Sequence, residues 1–301
     1  MLTYDLISKN KRESWILIFS FLVMIAALGF VFSQVYGRPE ILYFAVGFSV
    51  FSSLISYYYS DSITLALSQA KQVDRQSNPD LYRLVENLCI AAGLPTPKIY
   101  IIEDTAPNAF ATGRDPEHAV VCFTTGILQK LEKVELEGVV AHELSHIGNY
   151  DIRVMTLVVV LVGVVTLLAD WMLRARFFGR GNDREGNQLK SLFMIVGIIL
   201  ALLSPIIATL IKLAVSRQRE YLADASGALL TRYPEGLAKA LEKISADTEP
   251  LEAANKATAH LYIVNPLKEH KGQTSVGWFA GMFNTHPPIA DRVKRLREMN
   301  L

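Results

Sequence analysis

The chain has 301 residues, of which 51% are hydrophobic, and its mean hydropathy is positive. This is more apolar than the roughly 45–50% usual for soluble domains counted with glycine. The net charge of +1 gives no electrostatic support to nucleic-acid binding or to an acidic substrate. Cys89 and Cys122 lack metal-ligand or Cys-x-x-Cys spacing and stand in apolar runs, which predicts buried free thiols.

Two uncharged runs near the N-terminus predict a helical hairpin in a membrane. Residues 14–36 and 41–60 contain no charged side chain, and each is long enough to cross a bilayer, which takes about 20 apolar residues. Three consecutive tyrosines at 57–59 suit the interfacial aromatic belt. A secretory signal is disfavoured because its apolar core would be roughly 7–15 residues long and would end at a small-residue cleavage site.

The segment 61–153 has mixed charge and no run long enough to span a membrane, so it predicts a domain outside the bilayer. Asn78-Pro79-Asp80 is a turn that opens an amphipathic helix with a 3.6-residue period. The other predicted elements are strands at 97–103 and 119–123, a loop or edge strand at 108–113, and helices at 126–131 and from 134 onward.

Two further apolar runs predict a second membrane hairpin. Residues 154–169 are uncharged and continue with little interruption from the preceding helix. Residues 171–173 bring this run to membrane length, although Asp170 lies near its end, and a buried core helix is the alternative for it. Residues 191–211 form the fourth run.

Basic residues at the ends of the spans predict which side of the membrane the domain occupies. They are Lys9, Lys11, Arg12, Lys71, Arg75, Arg153, Lys212, Arg217 and Arg219. By the positive-inside rule, these flanks face the cytoplasm. The loop between the third and fourth runs opposes this assignment, because it holds five basic residues against only Asp183 and Glu185. Two explanations stay open: the second hairpin inserts only in part, or the first two spans determine the topology.

The strongest chemical signal is the sequence His142-Glu143-Leu144-Ser145-His146. On a helix, His142 and His146 project from one face and can reach a single cation, with Glu143 beside them as a base. This pattern also occurs on ordinary surface helices. A third ligand decides between the two interpretations, because a hydrolytic zinc site takes three protein ligands and keeps a fourth position for water.

Glu220 is the candidate third ligand. It lies four residues before Asp224 on a predicted helix, so both side chains face the same way. Asp224 can then accept the second imidazole N–H of a ligand histidine. An ordinary helical ion pair with Arg217 or Arg219 is the alternative for Glu220. The topology favours a ligand, because each ligand-bearing helix continues one arm of the second hairpin. At 1.5 Å per residue, the ligands on both helices would lie about 10–12 Å beyond the ends of the spans, at a similar height.

Three segments in this order, HELSHIGNYD, SRQREYLADASGA and NTHPPIADRVKRL, resemble the HtpX family of membrane-bound zinc proteases, which are kin of the CAAX prenyl proteases. The resemblance covers nearly the whole chain. It implies a gluzincin-type catalytic domain, endoproteolysis that does not use ATP, and a role in the quality control of membrane proteins.

Site residues follow from the resemblance position by position. His142, His146 and Glu220 match the family's zinc ligands, and Glu143 matches its catalytic base. The segment Asn108, Ala109, Phe110 and Ala111 resembles an edge strand that pairs with an extended substrate. His286 and Arg292 match positions that steady the oxyanion, although Arg292 equally fits an ordinary charge on a C-terminal helix.

These observations predict a mainly α-helical membrane protein with four transmembrane helices and a zincin-like domain that contains a small β-sheet. It would be a zinc endopeptidase of the cytoplasmic membrane, with its catalytic domain facing the cytoplasm and membrane proteins as substrates. A prenyl-protein processing enzyme and a non-enzymatic zinc-binding scaffold stay open as alternatives, and the sequence does not indicate an oligomeric state. The expected divisions are an N-terminal hairpin at 1–60, a first catalytic part at 61–153, a second hairpin at 154–212 and a second catalytic part at 213–301.

Overall fold

The structure is a computed structural model that describes residues 3–178, 216–254, 258–264, 266 and 287–299. These residues are mainly helical and include one four-stranded sheet. The helices are α1 (Thr3–Tyr36), α2 (Glu40–Leu67), α3 (Pro79–Ala92), α4 (Thr125–Lys130), α5 (Lys133–Gly148), α6 (Asp151–Phe178), α7 (Arg217–Thr231), α8 (Pro234–Ala246) and α9 (Ile289–Arg297). The strands are β1 (Lys71–Gln72), β2 (Lys98–Ile102), β3 (Ala109–Gly113) and β4 (Ala119–Thr124).

Helices α1 and α2 form the predicted N-terminal hairpin. Their stretches Ile7–Gln34 and Glu40–Leu67 are both long and apolar enough to cross a membrane. The link between them turns at Gly37, which has a positive φ of 62°. Large apolar side chains are exposed along both helices, as lipid contact requires; they include Trp15, Phe19, Phe44 and Phe51. On α2 the buried face carries serines instead, and such small residues let membrane helices approach closely.

Helices α5 and α6 are separate and meet at an angle of 82°. The sequence-based expectation of a nearly continuous helix through this region is therefore wrong. Asn149 caps α5, and Tyr150 adopts a left-handed conformation with φ 61°, a backbone state that cannot continue a right-handed helix. Asp151 then lies in the first turn of α6, where a carboxylate interacts favourably with the positive end of the helix dipole.

The described residues contain two candidate spans, or three if the bent pair α5 and α6 is counted as one. Helix α6 packs against both α1 and α2, so the first part of the third predicted run joins the N-terminal hairpin. The run at 191–211 lies outside the described residues. Four spans are thus a prediction of which the structure supports two or three.

The sheet has the strand order β1-β2-β4-β3, with β2 parallel to β4 and the other pairs antiparallel. Strand β3 is at the edge, so the edge-strand interpretation of residues 108–113 is the one the structure shows. Helix α5 packs against β3 and against α3, α7 and α8. Its buried residues join the strands in one core, which also holds Cys89. Cys122 lies in a second core that includes residues of α1 and α6, and both thiols are free.

Candidate metal centre

The side chains of His142, His146 and Glu220 meet in the interior, at 1%, 5% and 2% exposure. One ligand atom from each lies within 4.8 Å of the others. The two histidine Nε2 atoms are 3.2 Å apart, and the Glu220 carboxylate oxygens lie 3.5 Å from Nε2 of His146 and 3.9 Å from Nε2 of His142. The structure therefore brings together the three residues that the sequence predicted as ligands.

This donor set fits a metal ion. Two nitrogen ligands at about 2.0–2.1 Å from a tetrahedral zinc ion would be about 3.3 Å apart, close to the 3.2 Å between the Nε2 atoms. The three polar groups are buried within 4.8 Å of one another, and a bound cation would compensate the cost of that burial. The chemistry of two imidazoles and one carboxylate is that of hydrolytic zinc sites.

Close contact between α5 and α7 places Glu220 opposite the histidines. At the contact stands Gly227, where an added Cβ would lie 2.9 Å from the backbone nitrogen of His142. Only glycine allows α7 to pass this near to α5, because that distance is shorter than real Cβ contacts. The sequence motif contained this glycine, but a single helix pattern does not reveal which neighbouring backbone a glycine accommodates.

Asp224 lies beside His142, as the sequence predicted. Its Oδ1 is 3.0 Å from Nδ1 of His142, so Nε2 of that ring is directed toward His146 and Glu220. Arg292 binds the same carboxylate with two nitrogens, at 2.8 Å and 2.6 Å. Burial alone raises the pKa of Asp224, but Arg292 and His142 outweigh it and hold the pKa below its ordinary value.

Arg292 is fully buried at this centre and is not an ordinary surface charge. Besides its two bonds to Asp224, it donates from Nη1 to the backbone oxygen of Ile263 at 3.0 Å, and the same nitrogen is 3.5 Å from Glu220. Every guanidinium nitrogen thus has a partner in this structure. His286, the other residue predicted to steady the oxyanion, lies outside the described residues.

His146 has a carboxylate partner that the sequence analysis missed. Its Nδ1–H donates to Oδ2 of Asp151 at 3.0 Å, which mirrors the arrangement of His142 with Asp224. Asp151 is 1% exposed and lies at the bend between α5 and α6. On a continuous helix, five residues would rotate Asp151 by about 140° away from His146, so only the bend brings the two side chains together.

Glu143 lies beside the ligands and is 2% exposed. Burial raises the pKa of its carboxyl to about 7, although His146, Arg292 and the backbone N–H of Ala111 act in the opposite direction and Glu220 adds to the increase. A carboxyl with a pKa near neutrality can both accept and release a proton under ordinary conditions, which a general base requires.

The predicted substrate strand lies directly against this base. Residues Asn108 to Ala111 are all buried, and the backbone N–H of Ala111 lies near enough to the Glu143 carboxyl to lower its pKa. The chain itself covers the other end of the edge: the N–H of Ile263 donates to the carbonyl of Ala109 at 3.0 Å, and the Asn108 amide donates to the carbonyl of Val264 at 2.9 Å. The Phe110 ring meets Tyr262 edge to face at 5.0 Å.

Comparisons with known proteins agree with this arrangement. Residues 75–300 match the sequence profile of peptidase family M48. A protease HtpX homolog of Dictyoglomus thermophilum is 45% identical over 297 residues, covering 98% of this chain and 94% of the relative. One of Tropheryma whipplei is 45% identical over 299 residues, covering 98% of each chain.

A solved structure is similar in fold. The crystal structure of S. mikatae Ste24p superimposes with a TM-score of 0.51 at 18% identity, covering 97% of this chain and 67% of that chain. The family match, the HtpX relatives, the candidate membrane helices and the His-His-Glu cluster all indicate the same class of enzyme. The chain belongs to peptidase family M48 and is a membrane metallopeptidase of the HtpX type.

Proposed function

We propose that the protein is a zinc-dependent endopeptidase of the cytoplasmic membrane, with its catalytic domain on the cytoplasmic side and with misfolded or damaged membrane proteins as substrates. The observation that carries the proposal is the buried cluster of His142, His146 and Glu220 with Glu143 beside it. A structural zinc site would not require an adjacent carboxylate that is free of the metal.

The proposed roles divide the chemistry among the chain's own residues. His142, His146 and Glu220 hold the ion. When bound, zinc supplies the Lewis acidity that lowers the pKa of water from about 15.7 toward 7 and polarises a carbonyl. Glu143 takes the proton of the attacking water and passes it to the leaving amine. Asp151 accepts the Nδ1–H of His146, and the Asp224 carboxylate lies 3.0 Å from Nδ1 of His142. With each Nδ1 facing a carboxylate, both Nε2 lone pairs are directed toward the ion.

Substrate binding is proposed at strand β3. An extended peptide would add to the edge at Ala111, whose backbone N–H lies near Glu143, and backbone hydrogen bonds would align its scissile carbonyl. His286 and Arg292 remain candidates for steadying the oxyanion. For Arg292 the geometry supports another role as well, because its bonds to Asp224 orient the carboxylate that holds His142.

The proposed orientation rests on the charges where the spans end. Arg153, at the start of α6, lies over the rings of Tyr57 and Tyr150, and Lys11 of α1 lies 4.5 Å from the Tyr150 ring centroid. The ends of α1, α2 and α6 nearest the metal centre therefore carry cations packed on aromatic rings. Basic residues and aromatic rings of this kind are expected at a cytoplasmic interface. The metal centre lies close to this boundary, which favours substrates held in the same membrane.

The test is to purify the full chain under chelation, to add zinc, and to follow both self-cleavage and cleavage of an unmodified, misfolded membrane protein. Cleavage of both is expected, with one zinc per chain. Zinc binding at one to one without any cleavage would favour the scaffold alternative. Cleavage restricted to prenylated peptides would favour the processing enzyme, the second candidate, which the likeness to Ste24p keeps open.

A further inference from the structure

We propose that the N-terminal membrane helix is a working part of the metal centre, with Asn10 and Glu13 of α1 as positioning residues for His146 and for the start of the Glu220 helix. The inference rests on the proposed zinc site and deepens it. It predicts that metal affinity depends on the docking of a transmembrane helix, which the catalytic motifs alone do not suggest.

Asn10 is a buried amide whose partners all lie far away in the sequence. It is 2% exposed, and its Nδ2 donates to Oδ1 of Asp151 at 2.7 Å and to the backbone oxygen of Asn149 at 2.8 Å. Its Oδ1 accepts from Nη1 of Arg219 at 3.0 Å. A polar residue at the end of a membrane helix is thus bonded to both halves of the catalytic domain.

Asn10 is connected to the metal ligand His146 through Asp151, which binds both residues. Asp151 uses Oδ1 for Asn10 and Oδ2 for His146, so the amide determines how the carboxylate is rotated. The carboxylate in turn determines the orientation of the His146 ring. Asn10 also holds the carbonyl of Asn149, which lies within the bend that brings Asp151 back toward His146.

The second contact reaches the helix that carries Glu220. The Glu13 carboxylate lies 3.4 Å from Nη2 of Arg219, and Nη1 of Arg219 is 3.9 Å from Asp151. Arg219 directly precedes Glu220 in the first turn of α7. Helix α1 therefore contacts both the support of one ligand and the neighbour of another.

A purely structural role makes a different prediction from a positioning role. If Asn10 only joined helices, its loss would lower the stability of the protein and leave the intrinsic metal affinity unchanged. If it orients Asp151, its loss would release the His146 ring and weaken metal binding in molecules that stay folded. Loss of a direct carboxylate partner typically lowers metal affinity about 10–100-fold, and one step farther out we expect the lower part of that range.

Ser14 offers a matched control. It lies one turn along the same face of α1 and is also 2% exposed, but its hydroxyl donates only to the carbonyl of Asn10 within its own helix. Asn10→Asp is the isosteric test variant, since it keeps the shape of the side chain but removes both N–H donors and places a carboxylate against Asp151. Asn10→Ala removes the polar group without adding charge.

The experiment uses the full chain in lipid nanodiscs, in a Glu143→Gln background that prevents self-cleavage. Zinc affinity is measured by competition with a chelator, and the ligand field is followed by the visible spectrum of the cobalt-substituted protein. Circular dichroism checks that each variant is folded. We expect Asn10→Ala and Asn10→Asp to lower zinc affinity about 10- to 20-fold and to alter the cobalt spectrum, with Ser14→Ala within twofold of its parent.

Two outcomes would overturn the inference. Asn10→Asp and Asn10→Ala proteins that are folded and bind zinc within twofold of the parent would show that α1 does not position the ligands. An equal loss in Ser14→Ala would show a general packing effect. Failure of the parent itself to bind one zinc would instead refute the proposed function, so the two failures are distinguishable.

Discussion

The two histidines of the metal centre stand one helical turn apart on α5, and different regions of the molecule hold them. His142 is supported by Asp224 on α7, which Arg292 on α9 binds in turn. His146 is supported by Asp151 at the start of α6, which Asn10 on α1 binds in turn. The first support consists of α7 and α9. The second consists of α1, a candidate membrane span, and α6, which counts as part of a candidate span only together with α5.

Under the coupling proposed above, this difference makes the chemistry depend on helix α1 through the support of one histidine only. Each imidazole has the same kind of partner, a buried carboxylate that is itself held by a side chain with several N–H groups. On the His142 side that side chain is charged, and on the His146 side it is a neutral amide. We expect the charged side to contribute more to stability and the amide side to couple the centre to α1.

The largest effect is expected from a substitution that removes the general base and leaves the carboxylate partners of both histidines unchanged. Glu143→Gln should lower the rate of peptide cleavage about 10²–10⁴-fold, the usual contribution of a general base, and should keep zinc bound. Glu220→Ala, the matched variant, should lose both activity and zinc. Metal analysis after gel filtration and a cleavage assay measure the two effects. If Glu143→Gln lost its zinc as readily as Glu220→Ala, the division between base and ligand would be wrong.

The second largest effect is expected from the loss of Arg292, the charged residue that binds Asp224. Arg292→Met leaves Asp224 buried without its cation, and breaking a buried ion pair in this way costs about 3–5 kcal/mol. Arg297→Met on the same helix removes an ion pair with Glu235 and Glu242 whose side chains are 32–47% exposed, and such solvent-screened surface pairs contribute far less to stability. Thermal unfolding in detergent compares the two. Equal shifts in the midpoint would mean that Arg292 does not stabilise Asp224.

Much of the arrangement around His142 could be predicted from the sequence, because it depends on residues that are close together along the chain. The two histidines are four residues apart and share one helix face, as do Glu220 and Asp224. The helical period of 3.6 residues therefore predicts which way four of the site residues point. The strands at 98–102 and 119–124 and the α3 helix after Asn78 likewise followed from short patterns and turn residues.

The His146 side could not be predicted in the same way. Asp151 stands in the quoted motif, but a continuous helix would turn it away from His146, and the bend depends on the left-handed conformation of Tyr150. Asn10 is 141 residues from Asp151, and an isolated polar residue before a membrane span is normally solvated. Gly148 and Asn149 were the available signal, since both residue types favour helix ends.

The third effect compares the two carboxylates directly. Asp224→Ala should weaken zinc binding about 10–100-fold, as loss of a partner to a ligand histidine does, and Asp151→Ala should fall in the same range. Zinc titration of the chelated proteins, followed together with peptidase rate, measures both. A solvated surface aspartate would change stability by about 0.5 kcal/mol or less. Zinc affinity and rate within twofold of wild type for Asp224→Ala would therefore remove it from the site.

The smallest effect tests how closely the two supports fit their histidines. Gly227→Ala places a Cβ 2.9 Å from the backbone nitrogen of His142 and 3.2 Å from the carbonyl carbon of Ala141. Neither atom belongs to a flexible side chain, so α7 must move away from α5 and carry Glu220 with it. Overpacking of this kind costs about 1–3 kcal/mol, and we expect about 1–2 kcal/mol together with a fewfold loss of zinc affinity.

Gly148→Ala is the matched change near His146, and it should behave differently. There the new Cβ would meet only side-chain atoms of Leu94 at 3.6 Å and 3.7 Å, an ordinary van der Waals distance. Replacing a helical glycine by alanine at a compatible position stabilises a protein by about 0.4–1 kcal/mol, because the unfolded chain loses freedom. The unfolding midpoints of the two variants should therefore shift in opposite directions, and zinc titration should show a loss of affinity only for Gly227→Ala. If Gly148→Ala proved as harmful as Gly227→Ala, the bend at residues 149–150 would tolerate less change than its open surroundings indicate, and the His146 support would be the more tightly fitted of the two.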